Sequence, residues 1–337
     1  MTQIAVIGAG AWGTGLAIVL GRKGTHQVRI WAHEPEVCES ITHKLVNEQF
    51  LPGRPIPAAV SVSNDLAAVL DGVQIIVSVM PSQHCRGLFQ RMRPLIRPGT
   101  LVVSATKGLE EGSLLRMTEV IGEVLKHEDF HFSVGALSGP SFAQEVARGD
   151  PTAIAVASQN AALLRTVQQE FSDASFRVYT NSDVVGVELG GALKNVIAIA
   201  AGICDGLGFG HNSVAALITR GLAEMTRLVV ACGGRAETMA GLAGLGDLVL
   251  TCTGGLSRNR SVGVELGRGK KLLEIIAGMH GMVAEGVFTT TAAVGLAHAC
   301  EVEMPITEQM DAILHRGKSP REAIQELMSR TGKSETV

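Results

Sequence analysis

The sequence predicts an α/β fold in two parts: a doubly wound, mostly parallel sheet, followed by an all-helical C-terminal half. Three observations lead to this prediction. Short apolar runs alternate with helical segments in the first half, which is typical of a parallel sheet covered on both faces. From Val184 onward, apolar residues recur at helical spacing. The 337 residues also exceed what one core usually supports, so we expect two domains, 1–183 and 184–337.

The elements of the first half follow from their apolar patterns. Short β-branched or continuously apolar runs predict strands at 4–7, 28–31, 74–79, 100–104, 131–137, 153–157 and 175–179. Helical periodicity between them predicts helices at 13–24, 35–44, 65–70, 83–92 and 113–125, the last capped by Ser113. The Pro- and Gly-rich segment 47–57 is predicted to be a loop.

The second half shows almost no alternation of period two. Its helical stripes contain Leu189, Leu193, Val196, Ile197 and Ala200, then Ala215, Ile218, Leu222, Met225 and Val229. Helices this rich in small residues could pack inside one subunit or across a homodimer.

Composition excludes several classes of protein. The chain is 46% hydrophobic and 18% charged, which excludes disorder. Its net charge of −3 provides no field for nucleic acid or an anionic membrane surface. The six scattered cysteines have no zinc-site spacing, so we expect reduced thiols and no metal. The apolar N-terminus is interrupted by glycines, and we therefore expect a cytoplasmic protein without membrane insertion.

A glycine-rich turn follows the first strand and opens the first helix. Gly8, Gly10 and Gly13 fit G-x-G-x-x-G, and this strand–turn–helix context is the one that dinucleotide-binding sites require. Gly8 permits the tight turn, Gly10 permits close approach of a pyrophosphate, and Gly13 permits helix–sheet packing. The helix N-terminus then faces the phosphates with free N–H groups. We therefore interpret the first half as a Rossmann-like domain.

The end of the second strand bears on the choice of cofactor. A site for NAD usually has Asp or Glu there, which binds the ribose 2′-hydroxyl. Here Ala32 or His33 occupies that position, and Glu34 comes one residue later. With His33 and Arg29 nearby, the sequence predicts NADP or NAD, with NADPH weakly preferred. His33 can also be read as a solvated loop histidine.

Two polar segments follow strands of the predicted sheet. Lys107 lies at the ligand-binding edge and can place a cation near a carbonyl or phosphate, although surface exposure is the ordinary role of a lysine. The segment around Gly139 and Ser141 can present N–H groups and a hydroxyl to an anion. Ser141 can equally be a helix cap.

Lys194 lies on a helix face lined by Gly190, Gly191, Ala198 and Ala201. Such a face can lie close to a ligand or to the other domain. In a dry cleft the pKa of the lysine would fall toward neutrality, which suits proton transfer, and Lys107 nearby would lower it further. The alternative is a solvated lysine on an amphipathic helix.

Three late segments carry further polar groups. Asp247 ends a glycine-rich run, and Ser257, Arg258, Asn259 and Arg260 offer donors to a phosphate. These residues also suit an ordinary interhelical loop. Glu285 can bind a cofactor amide or ribose, or simply begin a helix.

Together these segments resemble the bacterial NAD(P)-dependent glycerol-3-phosphate dehydrogenase family. The matching stretches run in the family's order from residue 8 to about residue 290: GAGAWGTGLA, SATKG, SGPSFAQE, ELGGALKNVIAIAAGICDGLGFGHNS, GLAGLGDLVLTCTGGLSRNR and VAEGV. The resemblance implies a Rossmann domain followed by a helical domain. It also implies reduction of dihydroxyacetone phosphate to sn-glycerol 3-phosphate for phospholipid synthesis.

The resemblance assigns roles to individual residues. Lys194 matches the proton donor and acceptor, and Lys107 matches a lysine that contacts both cofactor and substrate. The other residues matching substrate positions are Gly139, Ser141, Asp247, Ser257, Arg258 and Asn259. Besides the three loop glycines and Lys107, cofactor contact is implied for Ala11, Trp12, His33, Ala143, Arg258, Val283 and Glu285.

The sequence departs from the family pattern at three positions. Ala11 stands where Ser is frequent, Phe50 where Tyr is common, and His33 where Arg is frequent. The first two changes remove hydroxyl groups, and the third bears on the preference for NADPH.

The expected chemistry is hydride transfer to the carbonyl carbon, with Lys194 donating the proton to the oxygen. Lys107 would polarise the carbonyl, Asp247 would orient Lys194 or hold the terminal hydroxyl, and Arg258 with Asn259 would hold the phosphate. Two alternatives remain open: a dehydrogenase of another small keto or hydroxy acid, and a non-catalytic NADP-sensing protein.

Overall fold

The computed structural model describes residues 1–126, 132–279, 281–332 and 334–335. One eight-stranded sheet organises the first half, in the order β10-β9-β8-β7-β6-β1-β2-β5. The strands are β1 (Thr2–Ile7), β2 (His26–Trp31), β3 (Val46–Asn47), β4 (Leu51–Pro55), β5 (Val60–Ser63), β6 (Ile75–Ser78), β7 (Leu101–Ser104), β8 (Ser133–Ser138), β9 (Thr152–Ala157) and β10 (Phe176–Asn181). All pairings in this sheet are parallel except that of β8 with β9.

Helices cover both faces of the sheet. In the first half they are α1 (Ala11–Arg22), α2 (Pro35–Lys44), α3 (Leu66–Leu70), α4 (Cys85–Met92), α5 (Met117–Leu125), α6 (Ala143–Arg148) and α7 (Ala161–Phe171). Separate apolar clusters lie on the two faces, one around Leu16, Ile30 and Val77, the other around Ile7, Phe89 and Val102. This confirms the predicted doubly wound, mostly parallel sheet.

The second half is helical throughout its described residues, as predicted. Its helices are α8 (Val184–Gly206), α9 (His211–Ala231), α10 (Ala236–Met239), α11 (Asp247–Thr253), α12 (Arg258–Gly267), α13 (Leu272–Ala277), α14 (Glu285–Ala299), α15 (Pro305–His315) and α16 (Pro320–Ser329). A π-helical turn, Leu242–Gly246, leads into α11. The Asp183 side chain caps α8 by accepting a hydrogen bond from the Gly186 N–H, which fixes where this domain's central helix begins.

Two local predictions were wrong, and one strand was not predicted. Segment 47–57 is not a plain loop, because β3 and β4 pair there as an antiparallel hairpin. The edge strand β5 was not predicted; it is short and only its first residue, Val60, is buried, so its apolar signal is weak. Helix α5 begins at Met117 rather than at Ser113, because Glu119 accepts a hydrogen bond from the Arg116 N–H. His131, which we assigned to a strand, lies outside the described residues.

The long apolar helix α8 is the core of the second half. It meets the length and hydropathy expected of a membrane span, but 83% of its most apolar window is buried inside the protein. Gly202 of α8 lies against the Arg260 carbonyl and the Gly263 Cα, and Gly206 lies against α12 at Val264 and Gly267. Side chains at these glycines would force the two helices apart, so the small residues of α8 serve packing within one subunit.

A buried carboxylate joins the two halves. Glu188 of α8 accepts hydrogen bonds from the Thr118 N–H at 2.8 Å and from the Thr118 hydroxyl at 2.5 Å, both at the start of α5. Arg116 pairs with the same carboxylate at 2.6 Å. This contact fixes α8 against the sheet domain, which brings the residues of α8 to the carboxyl edge of the sheet.

Candidate functional site

The glycine-rich turn after β1 has the backbone shape that a nucleotide loop needs. Gly8 has φ of +119°, and a Cβ there would lie 2.5 Å from the Val79 carbonyl oxygen at the end of β6. A Cβ at Gly13 would collide with the Gly8 carbonyl. Gly10 differs, because a Cβ there would have no heavy atom of the described part of the chain within 4 Å. Two glycines thus serve internal packing, and the third borders open space that a ligand can enter.

Helix α1 begins at this open space. Gly10 is the N-cap residue and no side chain caps the helix, so the first N–H groups have no partner from a cap. Ala11 and Trp12 form the first turn, and the indole Nε1 of Trp12 is buried without a hydrogen-bond partner among the described residues. Gly15 allows α6 to approach α1 closely, because a Cβ at Gly15 would already be in van der Waals contact with Ala143, 3.5 Å from its carbonyl oxygen. These features fit the phosphates of a dinucleotide.

An exposed histidine follows β2, whereas the Arg29 side chain of that strand is engaged elsewhere. His33 is exposed, with its ring centroid 5.9 Å from that of Trp31. Arg29 instead donates hydrogen bonds to the Asp71 carbonyl at 2.6 Å and to Gln3 at 3.1 Å. The proposal that Arg29 supports a 2′-phosphate is therefore withdrawn, and His33 is the basic group that remains.

Two lysines and one aspartate meet at the junction of the two halves. Lys194 of α8 contacts Oδ1 of Asp247 at 2.7 Å, and Lys107, after β7, contacts Oδ2 at 2.7 Å. Asp247 is 1% exposed and Lys194 is 6% exposed. One carboxylate thus orients both cations. The close approach of α8 depends on Gly190 and Gly191, where a Cβ would lie 2.6 Å from the Ala243 carbonyl and 2.5 Å from the Ser138 hydroxyl.

Thr251 is a further member of this cluster, and we did not predict it from the sequence. Its hydroxyl accepts a hydrogen bond from the Lys194 ammonium at 2.7 Å and donates one to the Asp247 carbonyl at 2.6 Å. The only signal in the sequence is its position four residues after Asp247 on a helix, which places both on one face. Two of the three N–H groups of Lys194 are therefore used by Asp247 and Thr251, and the third, which has no partner among the described residues, remains for a ligand.

The environment of Lys194 tunes its protonation. Burial lowers the pKa of Lys194 to about 8; Asp247 opposes this shift, and the positive charge of Lys107 adds to it. A lysine with a pKa near 8 exists in both protonation states close to neutral pH. It can therefore give up and take back a proton during a reaction.

The turn after β8 supplies a carbonyl to this cluster. The Gly139 carbonyl accepts a hydrogen bond from Lys107 at 3.1 Å and one from the Ser141 hydroxyl at 2.8 Å. Gly139 has φ of +147°, and a Cβ there would lie 2.9 Å from the Ile154 Cα. The alternative reading of Ser141 as a helix cap was wrong, since α6 is preceded by Phe142 and has no side-chain cap.

The start of α12 presents one unpaired guanidinium. The Ser257 hydroxyl caps α12 by accepting from the Arg260 N–H at 3.2 Å, and Asn259 is buried with Oδ1 accepting from the Gly286 N–H at 3.0 Å. Arg260 pairs with Asp205 at 2.8 Å. Arg258 is exposed and makes no hydrogen bond or ion pair with any described residue. Its five N–H groups are therefore available to an anion.

Glu285 connects the helical half to the sheet edge. Its carboxylate accepts from the Ser82 hydroxyl at 2.6 Å and from the Ser82 N–H at 3.1 Å, just beyond β6. Burial raises the pKa of Glu285, and the bonds from Ser82 oppose that shift. Gly108, next to Lys107, lies against both Ser82 and Glu285. Val283 is half-buried two residues before Glu285.

These contacts form one continuous region along the carboxyl edge of the sheet. Gly8 contacts the residue after β6, and Ser82, a little further along the chain, binds Glu285. Gly108 packs against both Ser82 and Glu285 and is followed in space by its neighbour Lys107, which shares Asp247 with Lys194. The carboxyl edge of a doubly wound sheet is where dinucleotides bind. Within the part of the chain that the structure describes, no cluster of His, Cys, Asp or Glu suits a metal ion.

The geometry matches what comparisons with known proteins show. Residues 3–164 match the sequence model of the NAD-dependent glycerol-3-phosphate dehydrogenase N-terminus, and residues 183–325 match that of its C-terminus. The chain is 67% identical over 335 residues to the Koribacter versatilis protein named glycerol-3-phosphate dehydrogenase (NAD(P)+), covering 99% of each. It is 54% identical to the protein of the same name from Citrifermentans bemidjiense, again covering 99% of each chain.

Solved structures agree with these sequence matches. The crystal structure of glycerol-3-phosphate dehydrogenase from Coxiella burnetii superposes with a TM-score of 0.93 at 44% identity, covering 98% of this chain and 99% of that one. The yeast glycerol-3-phosphate dehydrogenase superposes with a TM-score of 0.81 at 28% identity, covering 98% and 99%.

Proposed function

Because the chain belongs to the NAD-dependent glycerol-3-phosphate dehydrogenase family, and is thus an NAD(P)-dependent oxidoreductase, we propose that Lys194 is the proton donor in reducing dihydroxyacetone phosphate to sn-glycerol 3-phosphate. The observation that carries this proposal is the arrangement of Lys194, Asp247, Thr251 and Lys107. A buried ammonium is held by two acceptors and retains one free N–H. That arrangement suits a general acid aimed at a single oxygen.

The chemistry needs a proton at the carbonyl oxygen. The cofactor, when bound, supplies the hydride that the carbonyl carbon accepts, and negative charge develops on the oxygen. Lys194 gives its proton to that oxygen, and it takes the proton back in the reverse reaction. Lys107 stabilises the same charge, because its ammonium is fixed by Asp247 and the Gly139 carbonyl. Asp247 positions both lysines.

Substrate positioning falls to Arg258 and its neighbours. The unpaired guanidinium can bind a phosphate through two parallel hydrogen bonds, which fixes the far end of the substrate. Ser257 and Asn259 are engaged in capping α12 and in holding Gly286, so we assign them to shaping this end of the cleft. Gly139 borders the reacting end because its carbonyl accepts from Lys107, and the Ser141 hydroxyl donates to the same carbonyl.

The residues at the glycine-rich edge fit the cofactor. Gly10 and the N–H groups of Ala11 and Trp12 would hold the pyrophosphate, and Gly8 and Gly13 would shape the turn that presents them. Ala143 borders α1, and Val283, Glu285, Lys107 and Arg258 lie toward the nicotinamide end of the proposed site. His33 would face the adenosine ribose, which permits NADPH as well as NADH.

We propose that the protein acts in the cytoplasm and supplies glycerol 3-phosphate to phospholipid synthesis. The burial of α8 within the fold supports the first statement, since that helix is occupied with internal packing. We also propose a homodimer as the assembly. Light scattering on the purified protein distinguishes a homodimer from a monomer.

The direct test is oxidation of NADPH in the presence of dihydroxyacetone phosphate, followed by absorbance and repeated with NADH and with unphosphorylated dihydroxyacetone. We expect rapid oxidation that depends on the phosphate. Equal rates with unphosphorylated dihydroxyacetone would favour another small keto acid or ketone as substrate. Tight NADPH binding without turnover would favour a cofactor sensor.

A further inference from the structure

Asn47 is a buried asparagine outside the glycine-rich turn, and its side chain hydrogen-bonds to a peptide group of that turn. Asn47 of β3 is fully buried, and its Nδ2 donates to the Ala9 carbonyl at 2.7 Å and to the Thr14 hydroxyl at 2.8 Å. Its Oδ1 accepts from the Phe50 N–H at 3.0 Å. A carbonyl oxygen only accepts, so the amide must present its nitrogen to Ala9, and the orientation of the side chain is fixed.

Fixing the Ala9 carbonyl also fixes the next N–H group. A trans peptide is planar, and its C=O and N–H point in opposite directions. With the Ala9 oxygen held inward by Asn47, the Gly10 N–H points outward. That N–H donates no hydrogen bond to any described residue, and the space beside the Gly10 Cα is open. The geometry therefore aims a free donor into the region where a pyrophosphate would lie.

The hairpin that carries Asn47 is anchored independently of any ligand. Leu51, the β4 partner of Asn47, is completely buried. Arg54 of β4 donates to Gln144 of α6 at 2.9 Å, and the Ser40 hydroxyl donates to the Val46 carbonyl at 2.7 Å. Asn47 is thus held in place before a cofactor arrives, and ordering it costs nothing on binding.

We propose that Asn47 is a positioning residue for dinucleotide binding: it orients the Ala9–Gly10 peptide so that the Gly10 N–H reaches the pyrophosphate. This proposal rests on the cofactor part of the proposed function and is independent of the substrate. Among the described residues, the Asn47 side chain hydrogen-bonds to Ala9 of the turn, to Phe50 of its own hairpin and to Thr14 of α1, whose hydroxyl donates in turn to the Ala9 carbonyl at 3.3 Å. Asn47 therefore acts through the Ala9–Gly10 peptide and not on the cofactor itself.

The test compares Asn47→Ala, the near-isosteric Asn47→Asp and the control Ser40→Ala by direct titration with NADPH, using cofactor fluorescence. Ser40→Ala removes a hairpin bond without touching Ala9. We expect both Asn47 variants to raise the NADPH Kd about 10- to 100-fold. Ser40→Ala should leave the Kd within about twofold of wild type. At saturating cofactor, the KM for dihydroxyacetone phosphate should stay unchanged in the Asn47 variants.

A wild-type NADPH Kd in folded Asn47→Ala or Asn47→Asp would overturn the proposal. An equal loss of NADPH affinity in Ser40→Ala would also overturn it, because that result would indicate a purely structural effect of the hairpin. Thermal unfolding without cofactor establishes that each variant is folded.

A second measurement uses wild-type protein with isotopically labelled glycine. The Gly10 amide proton should shift downfield on adding NADPH, and an unshifted Gly10 resonance overturns the proposal. Because binding is read directly, absence of turnover in the wild type would contradict the proposed reaction without affecting this result.

Discussion

Lys194 Nζ lies 2.7 Å from Oδ1 of Asp247, although 53 residues separate them in the chain. The other oxygen of the same carboxylate binds Lys107, which is 140 residues from Asp247. One buried anion therefore faces two cations, so the cluster carries a net positive charge next to the proposed substrate. An excess positive charge at this point favours the oxyanion that forms during carbonyl reduction.

The first prediction concerns the pH dependence of Asp247→Asn. Reduction requires protonated Lys194, so wild-type kcat/KM for dihydroxyacetone phosphate should fall as pH rises through about 8, and the rate of oxidation should rise there. Asp247 raises the pKa of Lys194, and removing its charge lets that pKa fall below about 8. The midpoint for reduction should therefore move to lower pH. Profiles of kcat/KM against pH check this, and an unmoved midpoint would exclude Asp247 as the group that tunes Lys194.

The second prediction concerns Thr251→Val. The change keeps the shape of the side chain and removes one of the two acceptors that orient Lys194. We expect kcat to fall about tenfold or more with little change in KM, because a hydrogen bond from a charged donor contributes about 1.5–3 kcal/mol. Thr253→Val is the matched control, since Thr253 lies on the same helix, is exposed and, within the described structure, its hydroxyl bonds only to the Val249 carbonyl. Equal effects in the two variants would argue for a helix-stability effect instead.

The third prediction concerns the phosphate. Arg258→Ala should raise the KM for dihydroxyacetone phosphate about 10- to 100-fold, because a charged hydrogen bond contributes about 1.5–3 kcal/mol. Slow turnover of unphosphorylated dihydroxyacetone should not change. Arg260→Ala is the control, since Arg260 is paired with Asp205. If Arg258→Ala impaired both substrates alike, Arg258 would not be the phosphate group's partner.

The fourth prediction concerns stability and a carboxylate far from the site. Glu224 is buried and accepts from the Ile306 N–H at 2.6 Å at the start of α15. Burial raises the pKa of Glu224 from 4.5 to about 7, so the folded state holds this proton more tightly than the unfolded state. The stability gained from the proton is complete below 4.5 and is lost as pH rises to about 7, a change of about 3 kcal/mol.

Glu224→Gln cannot ionise, so its Tm should improve relative to wild type as pH rises from 4.5 to about 7. Thermal unfolding at several pH values measures this difference. Glu39→Gln, on the exposed face of α2, should show no such trend. Parallel pH curves for wild type and Glu224→Gln would show that Glu224 does not titrate on unfolding.

The sequence predicted features that are encoded locally. The glycine-rich turn, the alternation of strands and helices and the small residues around Lys194 are patterns of neighbouring residues, and each has the conformation or packing that its pattern predicts. Ser113 was a wrong cap because Glu119 and the Arg116 N–H provide a competing one.

Features that depend on distant contacts were missed. Asn47 falls in a segment read as a loop, and its importance depends on Ala9, which the fold brings to it. Arg29 has the right charge for a 2′-phosphate, but Gln3 and the carbonyl of Asp71 already engage its guanidinium. No local pattern reveals that Asp247 serves two lysines. Thr251 is the intermediate case, since its spacing from Asp247 predicts a shared helix face but not the contact with Lys194.

The most direct test of the central proposal is the kcat of Lys194→Ala for dihydroxyacetone phosphate, measured alongside NADPH binding. Loss of a general acid costs about 10²- to 10⁴-fold in rate, and we expect a fall in kcat of that size with an unchanged Kd for NADPH. A Lys194→Ala protein that retains near wild-type kcat would contradict the assignment of Lys194 as the proton donor.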